Sequence, residues 1–277
     1  MSNFDINNLF GVRGIVAVIT GGGSGLGLDV AKALDANGAK AVYIVGRRQE
    51  SVERAAAEAV SRSIIAIQGD VTSKESLEAV AERVRKEQGF INVLFANSGV
   101  IGFREVMWEP SIEDFTHAYH VNVSGVFYTA LAFLKLLDEG NKKGNVEQKS
   151  NIIVTSSIAG FSRKLSAGFA YCTSKAGTTH LVKMLATYFT VYKIRVNGIA
   201  PGLFPSEMTK KSAAFAAGKD ARIEGNLSKD LCLLERSGTE EDIAGTALYL
   251  MSRGGAYLSG NVIVPDGGRL GEMPAVY

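Results

Sequence analysis

Seven short runs rich in β-branched residues recur along the chain, with longer stretches of helical periodicity between them. The runs are Ile15 to Thr20, Ala41 to Val45, Ile64 to Gln68, Asn92 to Ala96, Asn151 to Thr155, Lys193 to Ile199 and Asn261 to Val264. Each run is almost continuously apolar, which is typical of a strand buried on both faces. The helical stretches are Leu26 to Asn37, Ser51 to Ser61, Lys74 to Gln88, Ile112 to Leu137, Phe169 to Tyr192 and Glu240 to Met251. This alternation predicts an α/β fold: a doubly wound, seven-stranded parallel sheet with helices on both faces.

Two stretches between these elements are irregular. Asp138 to Ser150 is polar and contains glycine, which indicates a surface loop. Residues 203–236 follow the sixth run, at the sheet edge where a ligand would enter, so we expect a substrate lid that is mobile without ligand. The 277 residues show no internal repeat or composition break, and we expect one domain over residues 1–277.

Charge and metal-ligand patterns narrow the classes of partner. The formal net charge is only +2 and no long basic run occurs, so no nucleic-acid partner is expected. Cys172 and Cys232 lie far apart, and His117, His120 and His180 form no ligand pattern. We therefore expect no disulfide framework and no metal site, and the expected partner is a small molecule.

The compartment is indicated by features that the sequence lacks. Met1 to Phe10 has neither the basic start nor the apolar stretch of a secretion signal. No window reaches the roughly 18 uninterrupted apolar residues of a membrane-spanning helix. Two cysteines suit a reducing compartment, so we expect a soluble, cytoplasmic protein with no membrane partner.

A glycine-rich turn, Thr20-Gly-Gly-Gly-Ser-Gly-Leu-Gly27, joins the first apolar run to a helical stretch. Such a turn lets the backbone approach a pyrophosphate, and the helix N-terminus offers unpaired amides to that anion. A simple tight turn would also use glycines, but a position after the first buried strand favours dinucleotide binding. The residues expected to hold the cofactor here are Gly21, Gly23, Ser24, Gly25, Leu26 and Gly27.

The spacing of this turn, Thr-Gly-x-x-x-Gly-x-Gly, resembles that of the short-chain dehydrogenase/reductase family. Further family motifs follow in order over nearly the whole chain. They are Asp70-Val71, Ala96-Asn97-Ser98-Gly99, Asn122, Ser156-Ser157, Tyr171-x-x-x-Lys175, Asn197, Pro201-Gly202 and Asp266-Gly267-Gly268. The resemblance implies a Rossmann-type sheet and an oxidoreductase that transfers a hydride between a nicotinamide cofactor and a carbonyl or alcohol substrate.

Tyr171 and Lys175 are four residues apart on a predicted helix, so their side chains lie on one face. An adjacent ammonium would lower the pKa of Tyr171 from its usual value of about 10 and suit it to proton transfer. An ordinary exposed pair would show the same spacing. The resemblance assigns Tyr171 as the general acid/base, and it assigns Lys175 to hold the cofactor ribose and tune Tyr171.

Two polar residues complete the catalytic set that the resemblance implies. Ser157, at the end of the fifth run, would orient the substrate oxygen, with Ser156 as the alternative hydroxyl and a local turn serine as the structural alternative. Asn122, a poor helix former inside a helical stretch, would distort that helix and support a water chain to Lys175. A satisfied core amide is the alternative for Asn122.

The resemblance also assigns cofactor contacts to the loops that follow the third, fourth and sixth runs. These are Asp70 and Val71 facing the adenine, Asn97 and Gly99 along the cofactor backbone, and Pro201, Gly202, Phe204 and Ser206 near the nicotinamide. In place of the family's Asn-Asn-Ala-Gly the fourth loop has Ala-Asn-Ser-Gly, so one amide is missing.

The end of the second run indicates which nicotinamide cofactor is used. NAD-dependent enzymes usually have an acidic residue there, about 20 residues beyond the glycine turn, to bind the ribose hydroxyls. This chain has Gly46, followed by Arg47 and Arg48, whose planar cations suit a 2′-phosphate. The sequence therefore predicts NADP(H), although two arginines on a solvated loop are the structural alternative.

The substrate and assembly are less constrained. Six apolar residues, Phe161, Leu165, Phe169, Phe204, Met208 and Phe215, fall in segments expected near the site. They suggest an apolar carbonyl compound for a ketoreductase, with core packing as the alternative.

The family usually assembles through its long helices, which implies a homodimer or homotetramer. The competing function is a dinucleotide-binding protein without redox turnover, such as a cofactor-sensing regulator or a cyclase.

Overall fold

In the part of the chain that the structure describes, seven strands lie in one parallel sheet. A computed structural model describes residues 4–102, 111–165, 167–210, 213–216 and 218–273. The strands are β1 Val16–Thr20, β2 Ala41–Gly46, β3 Ile64–Gln68, β4 Val93–Ala96, β5 Asn151–Thr155, β6 Arg195–Ile199 and β7 Val262–Ile263. Their order is β3-β2-β1-β4-β5-β6-β7, with every neighbouring pair parallel. The predicted fold class is confirmed.

Helices cover both faces of this sheet. They are α1 Ile6–Phe10, α2 Gly25–Ala36, α3 Gln49–Ala57, α4 Lys74–Glu87, α5 Ile112–Tyr119, α6 Val126–Lys143, α7 Phe169–Tyr188, α8 Ala213–Ala216 and α9 Glu240–Met251. Val18 of β1 belongs to the apolar cluster that contains Phe133 of α6. Its neighbour Ile19 belongs to the cluster of Val30 on α2 and Ile243 on α9. Because successive residues point to opposite faces, a strand between two helical layers must be apolar throughout.

The segment from α5 to α6 departs most from the sequence prediction. A π-helical turn, His120–Gly125, joins the two helices, and α6 continues to Lys143 instead of ending at Leu137. The expectation of a loop from Asp138 to Ser150 was therefore wrong for its first six residues. Gly140 resembles a loop residue, but a side chain there would meet the Ile91 carbonyl oxygen, so glycine is required for the helix to approach the sheet.

Helices α5 and α6 form one continuous 32-residue helix, which is long and apolar enough to cross a membrane by length and composition alone. The mean hydropathy of its most apolar window is 1.3, and half of that window is buried inside the fold. Because core helices of soluble proteins are also long and apolar, this composition is weak evidence for a membrane span.

Other boundaries differ by smaller amounts. Helix α7 ends at Tyr188 and continues as a 3₁₀ turn, Phe189–Tyr192. Strand β7 is only two residues long because it lies at the sheet edge and pairs with β6 alone. Helices α1 and α8 were not predicted. Helix α8 lies within the expected lid, in which residues 211, 212 and 217 lie outside the described part of the chain.

Candidate active site

A cavity of about 960 Å³ opens at the carboxyl ends of the strands, next to β1 and β4, where the strand order reverses. Open α/β sheets bind their ligands at this kind of position. Eighteen of the residues predicted from sequence lie on its wall: Gly21, Gly23, Ser24, Gly25, Leu26, Arg47, Arg48, Asp70, Val71, Asn97, Gly99, Ser157, Tyr171, Lys175, Pro201, Gly202, Phe204 and Ser206. Gly27 and Asn122 do not line it.

The glycine-rich turn has a backbone that requires its glycines. Gly21 and Gly25 have φ values of +67° and +52°, in the left-handed region. A Cβ on Gly27 would lie 2.5 Å from the Gly21 carbonyl oxygen, so Gly27 lets α2 start directly against the turn. Ser24 precedes α2 without capping it through its side chain, which leaves the first amides of the helix for another acceptor. This cradle fits the pyrophosphate of a dinucleotide.

Asn97 ties the turn to the neighbouring strands. Its Nδ2 donates to the carbonyl oxygens of Thr20 and Gly21 at 3.2 and 3.3 Å, and its Oδ1 accepts from Thr155 Oγ1 at 2.9 Å. The Thr20 hydroxyl, which sequence reasoning did not select, accepts from the amides of Asn97 and Ser98. The side chain of Asn97 therefore joins the ends of β1, β4 and β5.

The two arginines after β2 have different surroundings. Both are exposed, but Arg48 Nη2 lies 2.7 Å from Glu207 Oε2, across the cavity mouth on the expected lid. Burial works to raise the pKa of Asp70, yet hydrogen bonds from Thr72 and the charge of Arg47 lower it below its usual value. Arg47 thus lies near an acid that is already hydrogen-bonded, whereas Arg48 has a carboxylate partner.

Lys175 is a buried ammonium at the centre of the wall. Its side chain is 3% exposed, its Nζ donates to the Thr155 carbonyl oxygen at 2.8 Å, and that Nζ lies 5.8 Å from the centroid of the Tyr171 ring. Burial lowers the pKa of Lys175 to about 8. The charge lies beside the phenol, as the four-residue spacing on a helix predicts.

Gly99 and Asn122 shape the space around Lys175. A Cβ on Gly99 would lie 3.3 Å from Lys175 Nζ and 3.2 Å from Asn122 Oδ1, tighter than ordinary contact. Asn122 lies in the π-helical turn and is fully buried; it accepts from the Val100 amide at 2.8 Å and donates to the Val100 carbonyl and to Ser174 Oγ, both at 2.9 Å. Its side-chain amide therefore fixes the loop after β4.

The two serines after β5 differ in the partners of their hydroxyls. Ser156 is buried, and its Oγ lies 3.1 Å from the Lys175 carbonyl oxygen and 2.5 Å from Thr179 Oγ1. Ser157 Oγ accepts from the Ala159 amide at 3.1 Å, which leaves its own hydrogen for an acceptor in the cavity. The contacts favour Ser157 over Ser156 as the hydroxyl that meets a substrate oxygen.

Residues beyond β6 form the outer wall. Of the six apolar residues suggested for substrate binding, only Phe204 and Met208 line the cavity, and Phe204 is 4% exposed because it packs on Gly238. Arg269 and Met273 also line it and were not selected from the sequence. The only sequence signal for Arg269 is its position directly after the Asp-Gly-Gly motif. Among the described residues, no group of three metal-binding side chains comes together.

Comparisons with known proteins agree with this geometry. Residues 15–217 match the model of the family described as short chain dehydrogenase. The short-chain dehydrogenase/reductase PhomF of Diaporthe leptostromiformis is 45% identical over 98% of this chain and 96% of its own. The RhlG/NADP active-site complex of Pseudomonas aeruginosa has a TM-score of 0.80 at 29% identity, covering 95% of this chain and 99% of its own. The 3-ketoacyl-(acyl-carrier-protein) reductase from Brucella melitensis complexed with NADH has a TM-score of 0.79 at 26% identity, covering 94% and 99%.

Proposed function

Since the chain belongs to the short-chain dehydrogenase/reductase family, and is therefore an oxidoreductase that uses a nicotinamide dinucleotide, we propose that it is an NADP(H)-dependent ketoreductase. It reduces a carbonyl compound, or oxidises the corresponding alcohol, with Tyr171 as the general acid/base. The observation that carries this proposal is the buried ammonium of Lys175 beside the Tyr171 ring on the wall of a cavity that Ser157 also lines.

The proton chemistry follows from these three side chains. Tyr171 donates its hydroxyl proton to the substrate oxygen, and the nearby Lys175 ammonium stabilises the phenolate that remains. Ser157 donates its free hydroxyl hydrogen to the same oxygen and orients it. When bound, the nicotinamide supplies or accepts the hydride. Asn122 and Gly99 keep the surroundings of Lys175 fixed, because one is fully hydrogen-bonded and the other leaves the ammonium room.

NADP(H) is favoured by the charges near the end of β2. Gly46 stands where a carboxylate would repel a 2′-phosphate, and Arg47 is exposed on the cavity wall with a permanent charge. Arg48 would have to leave Glu207 to assist, so the main phosphate contact is assigned to Arg47. The solved relatives carry NADP in one case and NADH in the other, so this preference rests on the residues of this chain.

The test is NADPH consumption with a panel of ketones, measured by absorbance, for the unmodified protein and for Tyr171→Phe. The variant removes the transferable proton but keeps the ring, so turnover should fall by a factor of about 10²–10⁴ while NADPH affinity stays nearly unchanged. Tyr257→Phe, at a fully exposed tyrosine away from the cavity, is the matched control and should keep full activity. A Tyr171→Phe protein that retains most of its kcat would refute the assignment.

The same panel separates the enzyme from a cofactor-sensing regulator or a cyclase. Binding of NADPH without consumption by any ketone, and without NADP⁺ reduction by any alcohol, would favour the function without redox turnover. The presence of both Tyr171 and buried Lys175 favours the enzyme, because a regulator has no chemical use for this pair.

Lid motion, assembly and compartment form a second group of proposals. Residues 203–236 close over bound cofactor and substrate. The test is whether backbone hydrogen exchange in this segment slows when NADPH is added. The protein is a homodimer or homotetramer; support comes from apolar side chains exposed on α6 and α7, namely Phe127, Tyr128, Leu131, Met184 and Tyr188. Light scattering, which measures the mass of the particle in solution, tests this assembly. The compartment is the cytoplasm, which cell fractionation tests.

A further inference from the structure

Arg269 is a cation on the cavity wall whose guanidinium has no hydrogen bond or ion pair with any residue that the structure describes. Its Nε is buried and unsatisfied, and the residue is only partly exposed. Burial lowers the pKa of its guanidinium. Asp266, whose charge acts on this guanidinium, already accepts from the amides of Gly268 and Leu270 through its two carboxylate oxygens. A buried N–H without an acceptor costs free energy that a ligand could recover.

The strand order places Arg269 far from the cofactor phosphate expected near Arg47. Arg47 follows β2, the strand next to one edge of the sheet, and Arg269 follows β7, at the other edge. Five strand spacings of about 4.8 Å separate these strands, or roughly 24 Å. The loop of Arg269 packs beside that of Gly202, because a Cβ on Gly202 would lie 2.7 Å from Asp266. Arg269 therefore lies at the end of the cavity proposed for nicotinamide and substrate.

The other charges on this wall have partners or assigned roles. Arg48 pairs with Glu207, Asp70 accepts from Thr72 near Arg47, and Lys175 donates to the Thr155 carbonyl. Among the residues that the structure describes, Arg269 is thus the unpaired cation at the substrate end of this wall. The residues that follow β6 and line this cavity also include the apolar Leu203, Met208 and Met273.

We propose that Arg269 selects substrates that carry a carboxylate in addition to the carbonyl group, on an otherwise apolar frame. A guanidinium binds a carboxylate through two parallel hydrogen bonds, and its permanent charge is matched by the single charge of that group. A phosphate would call for further donors, and no second free cation lies at this end among the residues whose positions the structure gives. This proposal rests on the proposed ketoreductase function for the carbonyl, but the carboxylate contact can be measured by binding alone.

The experiment compares a keto acid with its methyl ester, for example 4-acetylbenzoate and methyl 4-acetylbenzoate, by calorimetric titration with and without NADP⁺. The unmodified protein should bind the acid more tightly by about 10- to 100-fold, because a hydrogen bond between charged groups strengthens binding by about this factor. Arg269→Met should remove the preference and Arg269→Lys should keep part of it. Arg253→Met, which removes an arginine paired with Glu147 and not on the cavity wall, should leave the preference intact.

A purely structural role for Arg269 predicts other results. Because its Nε is unsatisfied, Arg269→Met should not lower the melting temperature, whereas loss of a structural arginine would. Equal binding of acid and ester by the unmodified protein, or a preference that survives in Arg269→Met, would overturn the proposal. Preferential binding without NADPH consumption would keep the carboxylate site and reject the ketoreductase function.

Discussion

Asp29 on α2 should make the fold less stable as pH rises, and its replacement by asparagine should remove that effect. Burial, with a smaller contribution from the charge of Glu240 on α9, raises the pKa of Asp29 from 3.8 to about 6. A shift of about two units corresponds to ~3 kcal/mol. Because Asp29 is only partly buried, solvent screening reduces this to about 1–2 kcal/mol.

The sign follows from which state keeps the proton. Below about pH 4 the carboxyl is protonated in both states, and no penalty exists. Between about pH 4 and 6 the unfolded chain releases the proton while the folded chain retains it, so stability falls. Asp29→Asn should thus have a free energy of unfolding close to that of the unmodified protein near pH 4, and about 1–2 kcal/mol higher at about pH 7.

Asp35, on the same helix, is the matched control with the opposite sign. Burial alone would raise its pKa, but hydrogen bonds from the amides of Val60, Ser61 and Ser63 and from the Ser63 hydroxyl reverse this and lower it. Its charged form therefore stabilises the fold above the unfolded pKa, and that contribution is lost as pH falls. Asp35→Asn should lower the free energy of unfolding at about pH 7 by roughly 2–4 kcal/mol. Backbone amides that donate to the carboxylate would then meet the NH2 group of the asparagine side chain, which cannot accept their hydrogen bonds.

Urea unfolding of both variants at several pH values between about 4 and 7 measures these differences. The reasoning fails if the free energy of unfolding of Asp29→Asn, relative to the unmodified protein, does not increase from about pH 4 to about pH 7, although Asp35→Asn loses stability as expected. In that case the charge of Asp29 is solvated although the residue lies on α2 where this helix packs against α9.

Three further outcomes are expected. Arg47→Ala should erase most of the preference in kcat/KM for NADPH over NADH, whereas Arg54→Ala, an exposed arginine on α3, should not; a preference untouched by Arg47→Ala rejects the phosphate contact. Reductive kcat/KM for NADPH should fall as pH rises through about 8, where Lys175 loses its proton in the free enzyme, and a profile flat to about pH 10 would contradict this. Gly27→Ala should lower the melting temperature and NADPH affinity, because its Cβ would lie 2.5 Å from a carbonyl oxygen, whereas Gly245→Ala on α9, with open space, should be neutral or stabilising.

The sheet could be predicted because its strands are buried on both faces, which makes each one an unbroken apolar run. The end of α6 could not. Its last turns combine Asp138, Gly140 and Lys142, a composition typical of loops. The helix there is explained by the packing of Gly140 on Ile91 and by the hydrogen bond from Asn141 Nδ2 to the Tyr192 carbonyl oxygen. Contacts between distant parts of the chain decide such boundaries.

The site was predicted from motif residues, and most of them do line the cavity. What the sequence could not supply is how their side chains are used. Asn97 bonds to Thr20, Gly21 and Thr155, so its amide holds the turn together, and Asn122 is satisfied by the loop after β4. Arg269 was missed because its isolation depends on Asp266 being occupied by local amides, a property of the folded loop.

The order of the strands has a consequence for how a protein of this architecture can diversify. Determinants of cofactor choice follow β2, whereas the residue proposed to read substrate charge follows β7, five strands away at an edge of the sheet. Substitutions so far apart, with no shared partner, act additively in most proteins. One property can therefore drift or be redesigned while the other is kept, and Arg47→Ala combined with Arg269→Met should change both preferences by the sum of the single effects in free energy.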